Sequence, residues 1–203
     1  MSNHVIHEIF PTPVYVGELG RSFTEDEMAF LNFGAEMYTK NYGNNVSYDK
    51  QVLEEDAVQG LKSDILKHVE TYIKQIMDPK FPITPYITQS WLNVTLKNQS
   101  HHKHYHLNSL ISGVIYIQAE NDSINFYTQP SHMLSINPNT YNKFNSLHST
   151  VSVSTGNIVL FPSQIEHSVP TKTDDNKRIS LAFNVFVKGM VGEYEQSTEL
   201  ILK

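Results

Sequence analysis

The segment YITQSWLNVTLKNQSHHKHYHLNSLISGVIYI (residues 86–117) decides the fold. Its opening alternates: Leu92, Val94 and Leu96 fall on one side, Trp91, Asn93 and Thr95 on the other. That is the period-two pattern of a strand with one apolar face. A histidine-rich stretch follows, and then the apolar run LISGVIYI (110–117), which reads as a second strand. Further strands are expected at 123–128, 149–154, 157–162 and 178–188, with a last one near 194–202.

Upstream of residue 86 the period is different. VIHEIF and VYVGEL flank Pro11-Thr12-Pro13 and read as two short strands about a proline turn. Thr24 with Glu27 makes a capping box that opens a helix over 25–40, whose apolar face is Met28, Leu31, Ala35 and Tyr38. NYGN (41–44) ends it. Val58, Leu61, Ile65, Val69, Tyr72 and Ile76 keep a 3.6-residue period over a second helix, 56–77, closed by Pro79, Pro82 and Pro85. Two amphipathic helices ahead of many short strands predict a mainly β chain, an antiparallel sandwich or barrel buttressed by N-terminal helices. The expected organisation is one domain, 1–203, with strands and buttressing helices in 1–85 and the β core in 86–203. The polar stretch Pro130–Ser149 has no strong periodicity, and 128–150 is the expected lid or insert.

Composition narrows the function. A formal charge of −6 with no Lys/Arg cluster excludes a nucleic-acid groove. The absence of cysteine excludes disulfides, thiolate metal sites and a cysteine nucleophile. The start, MSNHVIHEIFPTPVY, has neither a basic nor an apolar leader region, and the longest apolar run is too short to span a bilayer. The expectation is a soluble, cytoplasmic protein with no membrane partner.

Four of the ten histidines lie within HHKHYH (101–106). On a strand, positions i and i+2 share a face, so His102, His104 and His106 can turn to one side and Lys103 and Tyr105 to the other. Two imidazoles at this spacing can ligate one ion, and His167, just after the apolar strand NIVLFP, supplies a third. Iron, zinc, manganese and copper all accept such a donor set. His101 and His102 read as a solvated loop, and His4, His7, His68, His132 and His148 as structural or exposed. The chain has only two arginines, Arg21 and Arg178. Arg178 and Ser180 share a strand face eleven residues beyond His167, where a guanidinium fork and a hydroxyl suit a carboxylate. The competing reading of Arg178 is a surface ion pair with Asp174 or Asp175.

These residues resemble the 2-oxoglutarate/Fe(II) dioxygenase superfamily. Within it they resemble a family of oxygenases marked by H-x-H-x-N-S, SG-x-x-Y, FPS, a distal His and RIS. The matching positions are His104, His106, Asn108, Ser109, Ser112, Gly113, Tyr116, Gly156, Phe161, Pro162, Ser163, His167 and Arg178 to Ser180, together with Trp91 and Asn93. The resemblance implies a double-stranded β-helix (a cupin-like jelly roll) with Fe(II) held by His104, His106 and His167. It implies 2-oxoglutarate as cosubstrate, with Arg178 and Ser180 on its distal carboxylate and Tyr116 beside it. The implied reaction is O2-dependent hydroxylation of an unidentified substrate with release of succinate and CO2. Two positions depart from the pattern. The superfamily usually has Asp or Glu where His106 stands, so iron sees three imidazoles or His106 lies behind it; and Gln164 replaces an expected aromatic. A cupin-type metalloenzyme that uses no 2-oxoglutarate and a non-catalytic jelly-roll binding module are the alternatives.

Overall fold

The computed structural model describes residues 4–129, 134 and 136–203. In chain order the elements begin with β1 (Tyr15–Glu18), α1 (Glu25–Glu36), β2 (Tyr38–Lys40) and β3 (Asn45–Ser47). Two short 3-10 turns lead into α2 (Gln59–Tyr72), which runs on as a π turn over Ile73–Met77. Then come β4 (Ile83–Thr95), β5 (His101–His104), β6 (Ile111–Gln118), β7 (Asp122–Tyr127) and β8 (His148–Val153). The chain closes with β9 (Asn157–Pro162), β10 (His167–Val169), β11 (Arg178–Val191) and β12 (Leu200–Leu202). The larger sheet has the order β1-β9-β6-β11-β4-β3-β2, with β12 on β11, and the smaller has β5-β10-β7-β8. The strand pairs within both are antiparallel, and the two sheets form the expected double-stranded β-helix.

Alternation along the strands builds two cores, one on each face of the larger sheet. Leu92 and Val94 of β4, Ile115 and Ile117 of β6, Ile158 and Leu160 of β9, and Ile179 and Leu181 of β11 pack with Leu31, Leu61, Ile65 and Val69 of the helices. The intervening residues face the smaller sheet: Tyr116, Val159 and Phe161 join Ile124, Phe126 and Val153. The face of β4 and β11 that carries no apolar core residues, with Asn93, Thr95, Arg178 and Ser180, lines a cavity instead. Helices on one side thus leave the other face of the larger sheet free to build a polar site.

The capping box is present: Thr24 Oγ1 accepts from Glu27 N at 3.2 Å, and Glu27 Oε2 accepts from Thr24 N at 2.8 Å. Arg21 grips the same carboxylate at 2.7 Å and reaches Asp64 of α2 at 2.8 Å, so the first arginine of the pair clamps helix to helix. Several expectations need correction. The first helix ends at Glu36, not 40, because Met37 N–H bonds the Gly34 carbonyl and the chain leaves as β2, with Tyr38 reaching the core from a strand. VIHEIF forms no strand; its residues are exposed and Phe10 has φ 61°. The region near 194–202 is a 3-10 turn followed by three strand residues. No helix among the described residues is long and apolar enough to cross a membrane.

Candidate metal centre

His104 is the last residue of β5 and His167 the first of β10, and the two are paired across the smaller sheet. Their ring centroids are 4.3 Å apart. His106 lies two residues past β5, in the turn to β6, with its ring 5.0 Å from His104 and 5.2 Å from His167. One nitrogen from each of the three falls within 4.8 Å of the others. His104 joins the cluster from the end of β5, whereas a turn and not a shared strand face brings His106 into place.

That turn is held by the serines of the sequence motif. Asn108 adopts φ 56°, a conformation that Asn tolerates better than most residues. Backbone N–H of His106 donates to the Ser163 carbonyl at 2.9 Å. Ser112 Oγ bonds Ser163 Oγ at 2.9 Å, and Ser163 Oγ bonds Ser109 Oγ at 2.8 Å. Asn184 on β11 accepts from Ser112 at 2.9 Å, so the hydroxyl chain ties the histidine turn to the larger sheet.

The donor atoms are oriented for a cation. His167 Nδ1 contacts the Ile165 carbonyl at 3.0 Å and His104 Nδ1 the His102 carbonyl at 2.8 Å. A carbonyl only accepts, so each Nδ1 carries the proton and each Nε2 presents a lone pair, the arrangement by which backbone partners fix a ligating imidazole. Burial lowers the His167 and His106 pKa to about 3 and about 4, with proximity to His104 adding to it, and burial lowers that of His104 as well. Neutral imidazoles are the ligating form. The three residues therefore fit a resident divalent metal.

Arg178 is 3% exposed and Ser180 6%; both line the same cavity as the histidines, with Tyr116, Asn93 and Thr95. Burial pushes the Tyr116 hydroxyl pKa well up. The surface ion pair expected as the competing reading of Arg178 is not what it makes. Its Nη1 donates to Asp122 at 3.0 Å and its Nη2 to Thr95 Oγ1 at 2.9 Å. Asp122 also takes Lys172 Nζ at 3.3 Å, and Lys172, likewise buried, reaches out to Asp174 at 3.1 Å. Two buried cations thus share one buried carboxylate, and of the three groups Arg178 lines the cavity. Three of the five guanidinium N–H groups remain for a further acceptor. This charge pattern suits an anionic group at Arg178.

Sequence reasoning missed Asp122 and Lys172. Asp122 carried a signal, since it is in phase with Ile124 and Phe126 on the inward face of β7, where an ionisable residue needs a partner. His101, expected in a solvated loop, lies on β5, lines the cavity and stacks on His104 at 4.5 Å; burial drives its pKa to about 2. His102 is exposed, as expected, but it too lies on β5 and not in a loop. His68 bonds Tyr15 at 2.8 Å, and exposed His148 on β8 sits beside Tyr127 of β7 and is in neither histidine group. His132 lies outside the described residues, as does part of the 128–150 segment. The rest of that segment borders a second, wider cleft, with Tyr141, Lys143 and His148 facing Val14, Phe126 and Ile165.

Jelly-roll topology with converging imidazoles and a buried cationic floor defines a non-haem metalloprotein of the cupin-like kind. Residues 89–184 match the family model described as "Putative 2OG-Fe(II) oxygenase". No curated protein matches the sequence. Among solved structures, a 2OG-Fe(II) oxygenase family oxidoreductase from Burkholderia pseudomallei aligns with TM-score 0.57 at 12% identity, over 85% of this chain and 83% of that one. HygX from Streptomyces hygroscopicus, solved with nickel, 2-oxoglutarate and hygromycin B, gives 0.53 at 15%, over 86% and 82%. A Pseudomonas putida prolyl-4-hydroxylase gives 0.52 at 11%, over 85% and 92%. Just under half of the chain is thus similar to the 2OG-Fe(II) oxygenase family, and the solved neighbours share its double-stranded β-helix fold.

Proposed function

We propose that this chain, as a single functional domain, is a 2-oxoglutarate- and Fe(II)-dependent hydroxylase. His104, His106 and His167 hold the metal through their cavity-facing nitrogens. Arg178 and Ser180 receive the distal carboxylate of the cosubstrate, and Tyr116 borders its carbon chain. Supporting this most directly is one cavity with three neutral imidazoles at one end and a buried, incompletely neutralised arginine at the other. With iron and 2-oxoglutarate bound, such a centre couples decarboxylation of the cosubstrate to succinate and CO2 with oxidation of a substrate C–H by O2.

The protein's own part is positioning and exclusion of water. The backbone carbonyls behind His104 and His167 fix their tautomers, and the serine chain holds the His106 turn. Trp91, whose ring lies 5.6 Å from that of His106, walls the metal on the side of the larger sheet. Phe161, at 4.7 Å from His167, closes the apolar side. A cupin-type enzyme without cosubstrate, or a binding module, gives Arg178 no partner beyond Asp122 and Thr95. Anaerobic addition of Fe(II) and 2-oxoglutarate distinguishes the readings: a weak visible metal-to-ligand band, and succinate formed on admitting O2, are expected. Without the band, the hydroxylase reading is wrong.

A further inference from the structure

Strands β5 and β10 do not pair residue for residue. His167 stands opposite His104 and Val169 opposite His101, so three steps along β5 match two along β10. The extra residue is a bulge, and a bulge breaks the alternation of a strand. His101 and His104, an odd number of positions apart, therefore both line the cavity. Exposed His102 joins them from the rim. Ring centroids are separated by 4.5 Å for His101 and His104, 4.8 Å for His102 and His104, and 5.1 Å for His101 and His102. One nitrogen from each of these three rings also falls within 4.8 Å of the others.

His104 is thus common to two imidazole triads. Its Nδ1–H is committed to the His102 carbonyl at 2.8 Å, so Nε2 is its one coordinating atom. One lone pair serves one ion. The His102 ring is tied by Nδ1 to the Tyr42 carbonyl at 3.3 Å, which likewise leaves Nε2 outward. The polar contact of His101 is a long one, 3.5 Å between Nε2 and the Asn41 amide, and is readily exchanged for a metal bond. Glu166, the acid on the neighbouring turn, is occupied by Lys103 at 2.7 Å, so the outer triad offers imidazoles alone.

We propose that His101, His102 and His104 form a second metal site, for a late first-row divalent cation such as Zn2+, and that it excludes occupation of the His104, His106 and His167 site because both need Nε2 of His104. Three neutral imidazoles and a water complete the tetrahedron zinc favours. Imidazole sites bind zinc more tightly than Fe(II), so the exposed outer triad captures zinc in competition with iron. A zinc ion at the rim then withdraws an iron ligand and shuts the centre. The inference rests on the iron-site reading only through the shared His104.

Zn2+ calorimetry on the full chain tests it without 2-oxoglutarate. Wild type is expected to take one zinc and not two. His106→Ala, which breaks the inner triad, keeps one zinc. Adding His102→Ala to that variant weakens zinc binding by more than the roughly 10- to 100-fold that loss of a supporting hydrogen bond costs. Circular dichroism checks the fold; if His106→Ala is unfolded, His106→Phe, which keeps a ring against Trp91, replaces it. Two zinc ions in wild type, no zinc in the folded inner-triad variant, or no effect of His102→Ala on that variant overturns the proposal. Failure of the hydroxylase reading shows separately, as an absent 2-oxoglutarate band in iron-loaded wild type.

Discussion

Asp122→Asn removes the carboxylate that Arg178 and Lys172 share and leaves its shape in place. The structure gives Arg178 a second partner in Thr95, and Lys172 a second in Asp174, but no other buried anion to either. Breaking a buried pair costs about 3–5 kcal/mol. Because the amide keeps one acceptor oxygen and each cation keeps a partner, the low end applies, about 3 kcal/mol. For a chain of this length that lowers the melting temperature by roughly 6–12 °C. The variant also leaves Arg178, in the cavity wall, short of an anion, so 2-oxoglutarate becomes the missing counter-charge. Its affinity should rise, about tenfold corresponding to about 1.4 kcal/mol. At a fixed saturating concentration, the thermal shift produced by 2-oxoglutarate should then exceed that of wild type by roughly 3–6 °C. Differential scanning fluorimetry of both proteins, each with Mn2+ and with or without 2-oxoglutarate, measures all four temperatures. A destabilised variant whose 2-oxoglutarate shift is no larger than that of wild type refutes the charge argument.

Gly113→Ala should be destabilising by about 1–3 kcal/mol in urea unfolding, since its Cβ would fall 2.2 Å from Phe183 Cζ and 2.7 Å from Leu160 Cδ2, in a packed core. His106→Asp should tighten iron binding, measured by Fe(II) titration, because two imidazoles and a carboxylate are a favoured Fe(II) donor set; an affinity indifferent to the substitution would place His106 behind the ligands. The Arg21 guanidinium, foremost, holds the Glu27 carboxyl below its ordinary pKa. The stability this contributes is present above the unfolded-state value and is lost as pH falls through the lower folded-state one. Glu27→Gln should accordingly be less stable than wild type at neutral pH, with the difference shrinking on acidification; a difference independent of pH would contradict the assignment.

The parts that were legible in the sequence are those where a simple period survives tertiary structure. β9 spans the residues the alternation marks, and β4, β6, β7, β8 and β11 lie within a few residues of expectation. His104 and His167 could be read because both sit at strand ends beside apolar runs. His101 could not, since the bulge in β5 reverses which parity faces the cavity, and no local residue announces it. β2 and β3 are three residues each, YTK and NVS, and owe their existence to pairing, β3 on β4 and β2 on β3. Tyr38 continues the helical spacing of α1 yet belongs to β2, so period alone overran the helix. The partner of Arg178 lies 56 residues upstream on the opposing sheet. Such a pairing is set by how two sheets face each other and has no local trace.

If a dicarboxylate lies between the metal and Arg178, its binding must depend on the guanidinium fork. Anaerobic calorimetric titration of 2-oxoglutarate into Fe(II)-loaded wild type and Arg178→Lys tests it most directly. Lysine keeps the charge and loses the planar fork, so wild type should bind 2-oxoglutarate and the variant at least about tenfold more weakly, with iron stoichiometry unchanged. Equal binding by the two proteins, or none by wild type, would contradict it.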